Sequence, residues 1–101
     1  MKNHKDYIPN LLRPSEVRSV LHDLDITWQD HKVKANGWVR IKNPLRKDGN
    51  FNFSIKPSIG AFADHSNPKV KGDLIKLVML IHKLNRHDAE HWILAIVGLA
   101  L

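Results

Sequence analysis

The run from Asn43 to Leu84, NPLRKDGNFNFSIKPSIGAFADHSNPKVKGDLIKLVMLIHKL, constrains the fold more than any other part of this chain. Two short apolar stretches, Phe51 to Ile55 and Ala61 to Asp64, are bounded by Asp48-Gly49-Asn50 and Pro57-Ser58-Ile59-Gly60. Glycine, proline, asparagine and aspartate supply the backbone angles of tight turns, so the pattern reads as antiparallel strands on short connections. Phe51, Phe53 and Ile55 alternate with polar residues and so share one face, which is expected to be the core face. Asn67 to Gly72 reads as a polar loop, and Asp73 as the N-cap of an apolar helix through Leu84. Short strands followed by a helix, rather than alternating with helices, make an α+β fold.

Upstream, residues 1–10 read as an arm ending at Pro9-Asn10. Pro14-Ser15-Glu16 then opens a helix, because proline suits the first turn and a carboxylate complements the positive helix end. Leu12, Val17, Val20, Leu21 and Leu24 recur at helical spacing and form one apolar stripe for the core. Asp23 and Asp25, two residues apart, point in different directions on a helix and read as solvated helix-end acids. From Ile26 the pattern turns to strands: Trp28, then His31 to Ala35, then the hairpin signal Asn36-Gly37. In Trp38-Val39-Arg40-Ile41-Lys42, alternation sends Val39 and Ile41 inward and leaves Trp38, Arg40 and Lys42 outward. After Leu84, Asn85-Arg86-His87-Asp88 restarts the chain into a last helix of about three turns.

The middle and end of the chain resemble the zinc-ribbon domain at the front of bacterial replicative primases. That family carries Cys-Pro-Phe-His, a Pro-Ser-Phe-Ser-Val-like strand, an aromatic strand ending in Cys-x-x-Cys, and Gly-Asp opening an Ile-x-Phe-Val-Met helix. Here those places hold Asn43-Pro44-Leu45-Arg46, Asn52-Phe53-Ser54-Ile55, Ala61-Phe62-Ala63 with Asp64-His65-Ser66-Asn67, and Gly72-Asp73-Leu74-Ile75-Lys76-Leu77-Val78-Met79. The four metal positions thus become Asn43, Arg46, Asp64 and Asn67. Structural zinc needs four nitrogen, sulfur or carboxylate donors, and a protonated guanidinium has no lone pair to give. No metal and no other cofactor is therefore expected. At 101 residues the chain is expected to be a single domain, 1–101, and the resemblance implies a small antiparallel sheet, zinc-ribbon-like but without zinc. One N-terminal helix and two C-terminal helices accompany the sheet. Because metal binding and folding are one event in such modules, burial of Trp38, Leu45, Phe51, Phe53 and Phe62 is expected to replace the ion. Each fully buried side chain contributes roughly 1.5–3 kcal/mol.

The absence of cysteine excludes disulfides and thiolate metal sites and fits a cytoplasmic protein. Met1 to Asp6 leads into no long apolar run, so no signal peptide is expected. The longest apolar run, Trp92 to Leu101, is about half the roughly 20 residues of a membrane span. No Gly-x-Ser-x-Gly turn or phosphate-cradling glycine loop appears, and an enzyme is not expected. His87 and His91 lie four apart on one helix face, and His65 follows Asp64. Either could contribute to an improvised metal site, but the reading is surface histidines.

A net charge of +6 and a pI near 9.8 are the footprint of a nucleic-acid binder. Single strands are held by cations that track phosphates and by aromatic rings that stack bases. The expected set is Trp38, Arg40, Lys42, Arg46, Lys47, Lys56, Lys69 and Lys71. A nearly all-round apolar helix must be buried on all sides, so Trp92, Ile93, Ile96, Val97, Leu99 and Leu101 are expected to bind a protein partner or a second copy in a homodimer. The family resemblance implies an accessory role in DNA replication: binding single-stranded template DNA beside a DNA polymerase or primase subunit, so as to assist primer synthesis. Small accessory proteins of mobile-genetic-element replication modules, which accompany a family A polymerase, are similar. The rivals are a protein-interaction adaptor without nucleic-acid affinity and a basic regulator of duplex DNA.

Overall fold

The computed structural model describes residues 12–98. Pro14–Asp23 forms helix α1, Asp30–Lys32 a single 3-10 turn, and Val39–Ile41, Phe53–Lys56, Ala61–Asp64 and Lys71–Gly72 strands β1 to β4. Leu74–His82 is helix α2 and Arg86–Val97 helix α3. The strands form one antiparallel sheet in the order β1-β2-β3-β4. The described residues thus make an α+β fold with one helix before the sheet and two after it.

Local chemistry sets the boundaries. Pro14 occupies the first turn of α1, and the Glu16 carboxylate accepts from the Arg13 amide at 2.8 Å. At the other end Asp25 takes a left-handed conformation (φ 61°), which aspartate tolerates better than most residues. The amides of Asp25 and Ile26 then close onto the carbonyls of His22 and Leu21, a Schellman stop with the apolar pair Ile26 and Leu21 beneath it. The two acids at 23 and 25 therefore belong to a helix stop, and both side chains are exposed. Asp73 caps α2 by accepting from the Lys76 amide at 2.9 Å, and Asn85 caps α3 by accepting from Asp88 at 2.8 Å. Lys83, left-handed at φ 56°, ends α2 at His82, two residues before the expected Leu84.

One core joins the three helices and strands β1 to β3. Val17, Val20 and Leu21 of α1, Leu74, Ile75, Leu77 and Val78 of α2, and Ala89, Ile93 and Leu94 of α3 meet the inner face of the sheet. That face carries Val39, Ile41, Phe53, Ile55 and Phe62, all buried. Ile55 lies opposite Phe62, so Phe53 and Phe62 are diagonal neighbours whose rings stack at 5.5 Å with 10° between planes. The turn into β3 fits closely over α2: Gly60 has φ +79°, and a Cβ there would lie 2.7 Å from the Leu74 Cβ.

Four expectations are corrected by this arrangement. No strand forms over His31 to Ala35; Lys32 and Val33 bond back to Gln29 and Asp30. Asn36-Gly37 then makes a local turn closed by Gly37 N–H to Lys34 and Lys34 N–H to Trp38. The expected loop Asn67 to Gly72 contains β4, because a turn closed by Val70 N–H to Asn67 returns the chain along β3. Phe51 is 57% exposed, since pairing of β1 with β2 ends at Ile41 and Phe53 and leaves position 51 outside the ladder. Within the described part of the stretch expected to be apolar all round, Ile93 and Leu94 are buried, Trp92, Ile96 and Val97 half-buried, and only Ala95 and Gly98 exposed, so its own domain covers much of it.

Candidate nucleic-acid interface

The face of the sheet turned away from the helices is built by register. Arg40 lies opposite Ser54, Ser54 opposite Ala63, and Ala63 opposite Lys71, so one row crosses all four strands with a cation at each end. Lys56 and Ala61 form the next row on the same face. Short side chains at 54, 61 and 63 leave the middle of this face low. The Ser54 hydroxyl meets His65 Nε2 at 2.6 Å. The only carboxylate in the four strands, Asp64, is buried on the opposite face.

The remaining expected contacts are distributed around this row. Lys42 is exposed just beyond β1, with its ammonium 5.9 Å from the centre of the Phe51 ring. Lys56 is half-buried, and its stem lies over Gly37, where a Cβ would meet its Cε at 3.0 Å. Lys71 is exposed on β4, and Lys69 is exposed in the turn before it. Arg46 and Lys47 are exposed in the connection between β1 and β2. Trp38 is half-buried rather than open: its amide bonds to Asn36 Oδ1 at 3.1 Å, and its carbonyl accepts from Lys34.

The positions that hold metal in the resembling family are drawn together by hydrogen bonds. Asn43 is buried: its Oδ1 accepts from the Leu45 amide at 2.9 Å, its Nδ2 donates to Asn52 at 3.0 Å, and its own amide donates to the Asn50 carbonyl. Asp64 accepts from the amide and the hydroxyl of Ser66, and the Asn67 amide donates to the Asp64 carbonyl. The Asn67 side chain in turn accepts from the Lys69 amide. Burial pushes the Asp64 carboxyl up, but the Ser66 hydroxyl and amide, the Asn43 amide and the Arg46 charge outweigh it and hold it below its ordinary value. These four residues do not fit a metal. Arg46 has no lone pair to offer, and the Asn43 and Asp64 oxygens already accept from the backbone. Among the described residues, no group of three or more histidines or carboxylates could hold an ion. The rings of His87 and His91 lie 4.3 Å apart on α3, and His65 faces Ser54.

Beside β1 lies a groove that is not among the expected contacts. Beyond β1, on the side away from β2, no strand pairs with it among the described residues. A groove of about 450 Å³ opens there, lined by Trp28, Lys32, Arg40, Lys42 and Phe51, with Asp25 as its one carboxylate. Trp28 is fixed by a 3.0 Å bond from its Nε1 to Asp30 and by the Arg18 guanidinium 5.2 Å above its ring. Arg18 also pairs with Asp30 at 3.3 Å, and its hydrogen bond is the first cause holding the Asp30 carboxyl low. An aromatic flanked by polar residues just before a strand, as Phe51 is, was the available signal; alternation misassigned it to the core.

The proposed partner surface divides. Ile93 is fully buried and faces the core between helices, which removes it from the set. Trp92, Ile96 and Val97 are half-buried against the core, and the Trp92 ring meets His82 at 4.7 Å. Leu99 and Leu101 lie outside the described residues. Among the described residues, no helix is long and apolar enough to cross a membrane. Comparison with protein-family models, curated proteins and solved structures finds no match.

Proposed function

We propose that this protein is a non-catalytic DNA-replication accessory protein that binds single-stranded template DNA and works beside a DNA polymerase or primase subunit in the cytoplasm. One observation carries the reading: an outer sheet face with Arg40 and Lys71 at the ends of a row, Lys56 beside it, and no carboxylate from any strand. From Trp38 to Gly72 there are seven lysines and arginines against Asp48 and the buried Asp64. A low, cationic face suits a flexible phosphate chain with its bases laid against it. Asn43 ties the β1–β2 connection and Asp64 the β3–β4 turn behind that face by hydrogen bonds, at positions that hold a coordinated ion in the family that the run resembles.

Template held next to a partner's active site would orient the first two nucleotides, converting part of an entropic barrier into binding. Trp92, Ile96 and Val97 are the partner contacts in this reading, because they offer apolar surface on the helix layer and leave the sheet face free. The test is fluorescence anisotropy with a labelled single-stranded oligonucleotide at two salt concentrations. Replacing Arg40 and Lys42 together by alanine is expected to weaken binding and flatten its salt dependence. Unchanged affinity and salt dependence would make the assignment wrong; tight capture of a polymerase by a chain with no strand affinity would make it an adaptor.

A further inference from the structure

We propose that the groove along the free edge of β1 is a base-stacking subsite for single-stranded nucleic acid, with Phe51 as the platform and Lys32, Arg40 and Lys42 holding the flanking phosphates. The inference rests on the single-strand reading above and locates its base contacts away from Trp38. Three observations support it. Among the described residues Phe51 is the most exposed of the large apolar side chains, at 57%, with no place in the core to explain its ring. Lys42 stands 5.9 Å from that ring and places a positive charge where a phosphate follows a stacked base. The groove itself, about 450 Å³, lies within the roughly 300–1,000 Å³ of ligand-sized clefts.

Continuity with the sheet face adds to these. Arg40 lines the groove and also begins the row that crosses the sheet to Lys71. A strand seated on Phe51 would leave the groove past Arg40 and continue over Ser54 and Ala63, passing the His65 imidazole that meets the Ser54 hydroxyl. The edge of β1 adds backbone hydrogen-bonding groups that no strand on that side takes up. An extended peptide could also add to such an edge. Three cations against the single carboxylate Asp25 favour a polyanion, and a nucleic acid supplies both the charge and the ring.

The experiment titrates the full-length protein against fluorescein-labelled oligothymidylate at low salt, comparing wild type with F51A, F51Y and the double variant K56A/K71A. Phe51 is exposed and outside the strands, so F51A should fold normally, which circular dichroism and a thermal melt would check. Loss of one stacking contact is expected to weaken binding on the order of 10- to 100-fold, with the salt slope unchanged. F51Y, which keeps a stacking ring, should bind as wild type does. F51A that binds as tightly as wild type, while K56A/K71A binds weakly, overturns the groove and leaves the sheet-face reading standing. A wild-type protein that does not bind oligothymidylate, or binds a duplex of the same length equally well, overturns both.

Discussion

Replacing Asp64 by alanine removes the carboxylate at the centre of the two hydrogen-bonded turns. Asp64 is 4% exposed and accepts from both the amide and the hydroxyl of Ser66. Hydrogen bonds to a charged acceptor contribute about 1.5–3 kcal/mol each. Ser66 is exposed, so its freed groups can turn to water, and the two contributions do not simply add. Asn43 keeps its bonds to Asn52 and Leu45. A net loss of about 2–3 kcal/mol follows, a large part of the roughly 5–15 kcal/mol that holds a domain folded. In urea, with a slope of about 1–3 kcal/mol per molar, the midpoint should fall by about 0.7–3 M. The dependence on pH fixes the cause. A carboxyl whose folded pKa lies below its unfolded value contributes fully above the unfolded value, ordinarily 3.8, and loses that contribution as pH falls through the folded one. The gap between wild type and Asp64→Ala should therefore be widest above about pH 5 and narrow below 3.8. A midpoint within about 0.2 M of wild type at pH 7, or a gap that widens in acid, would refute the reasoning.

Gly60→Ala should destabilise by about 2–4 kcal/mol in the same urea assay, because it combines a φ of +79° with a Cβ placed 2.7 Å from the Leu74 Cβ. Asp73→Ala should cost about 1 kcal/mol by exposing the start of α2, whereas Asp73→Ser, which can still accept from Lys76, should recover most of it. A thermal melt in excess chelator should coincide with one in its absence; a fall of several degrees would mean that an ion contributes to the fold.

The sequence announces the ends of elements more clearly than their middles. Pro14, Asp73 and Asn85 each carry a specific local chemistry, and each sits where that chemistry places it. Ala61 to Asp64 is a strand over those same residues because the turn before it needs a glycine at positive φ. Where the fold depends on partners distant in sequence, local pattern fails. Two residues at Lys71 and Gly72 are too few to show a period, and they become a strand only because Phe62 and Ala63 lie beside them. The alternation through Phe51 continues past the point where β1 stops pairing, which put an exposed ring into the expected core. Ile93 is buried rather than at a partner surface; composition cannot tell which side of an apolar helix α1 and α2 will cover.

The cations of the candidate interface were visible as residue types, but their grouping was not. Only register places Arg40 and Lys71 at opposite ends of one row, and only the path of residues 25–29 beside β1 makes a groove of Phe51, Lys42 and Lys32. Asn43 and Asp64 were marked by their places in the resembling motif. Their bonds to Asn50, Asn52 and Ser66 follow from how the connections fold.

The most direct measurement is the affinity for oligothymidylate as a function of salt. Contact with about three to five phosphates predicts a slope of log K against log salt of about −2 to −3.5 for a single strand, shallower by about 1.4 once Arg40 and Lys42 are alanine. A flat dependence, or no detectable binding near 50 mM salt, would contradict a template-binding sheet.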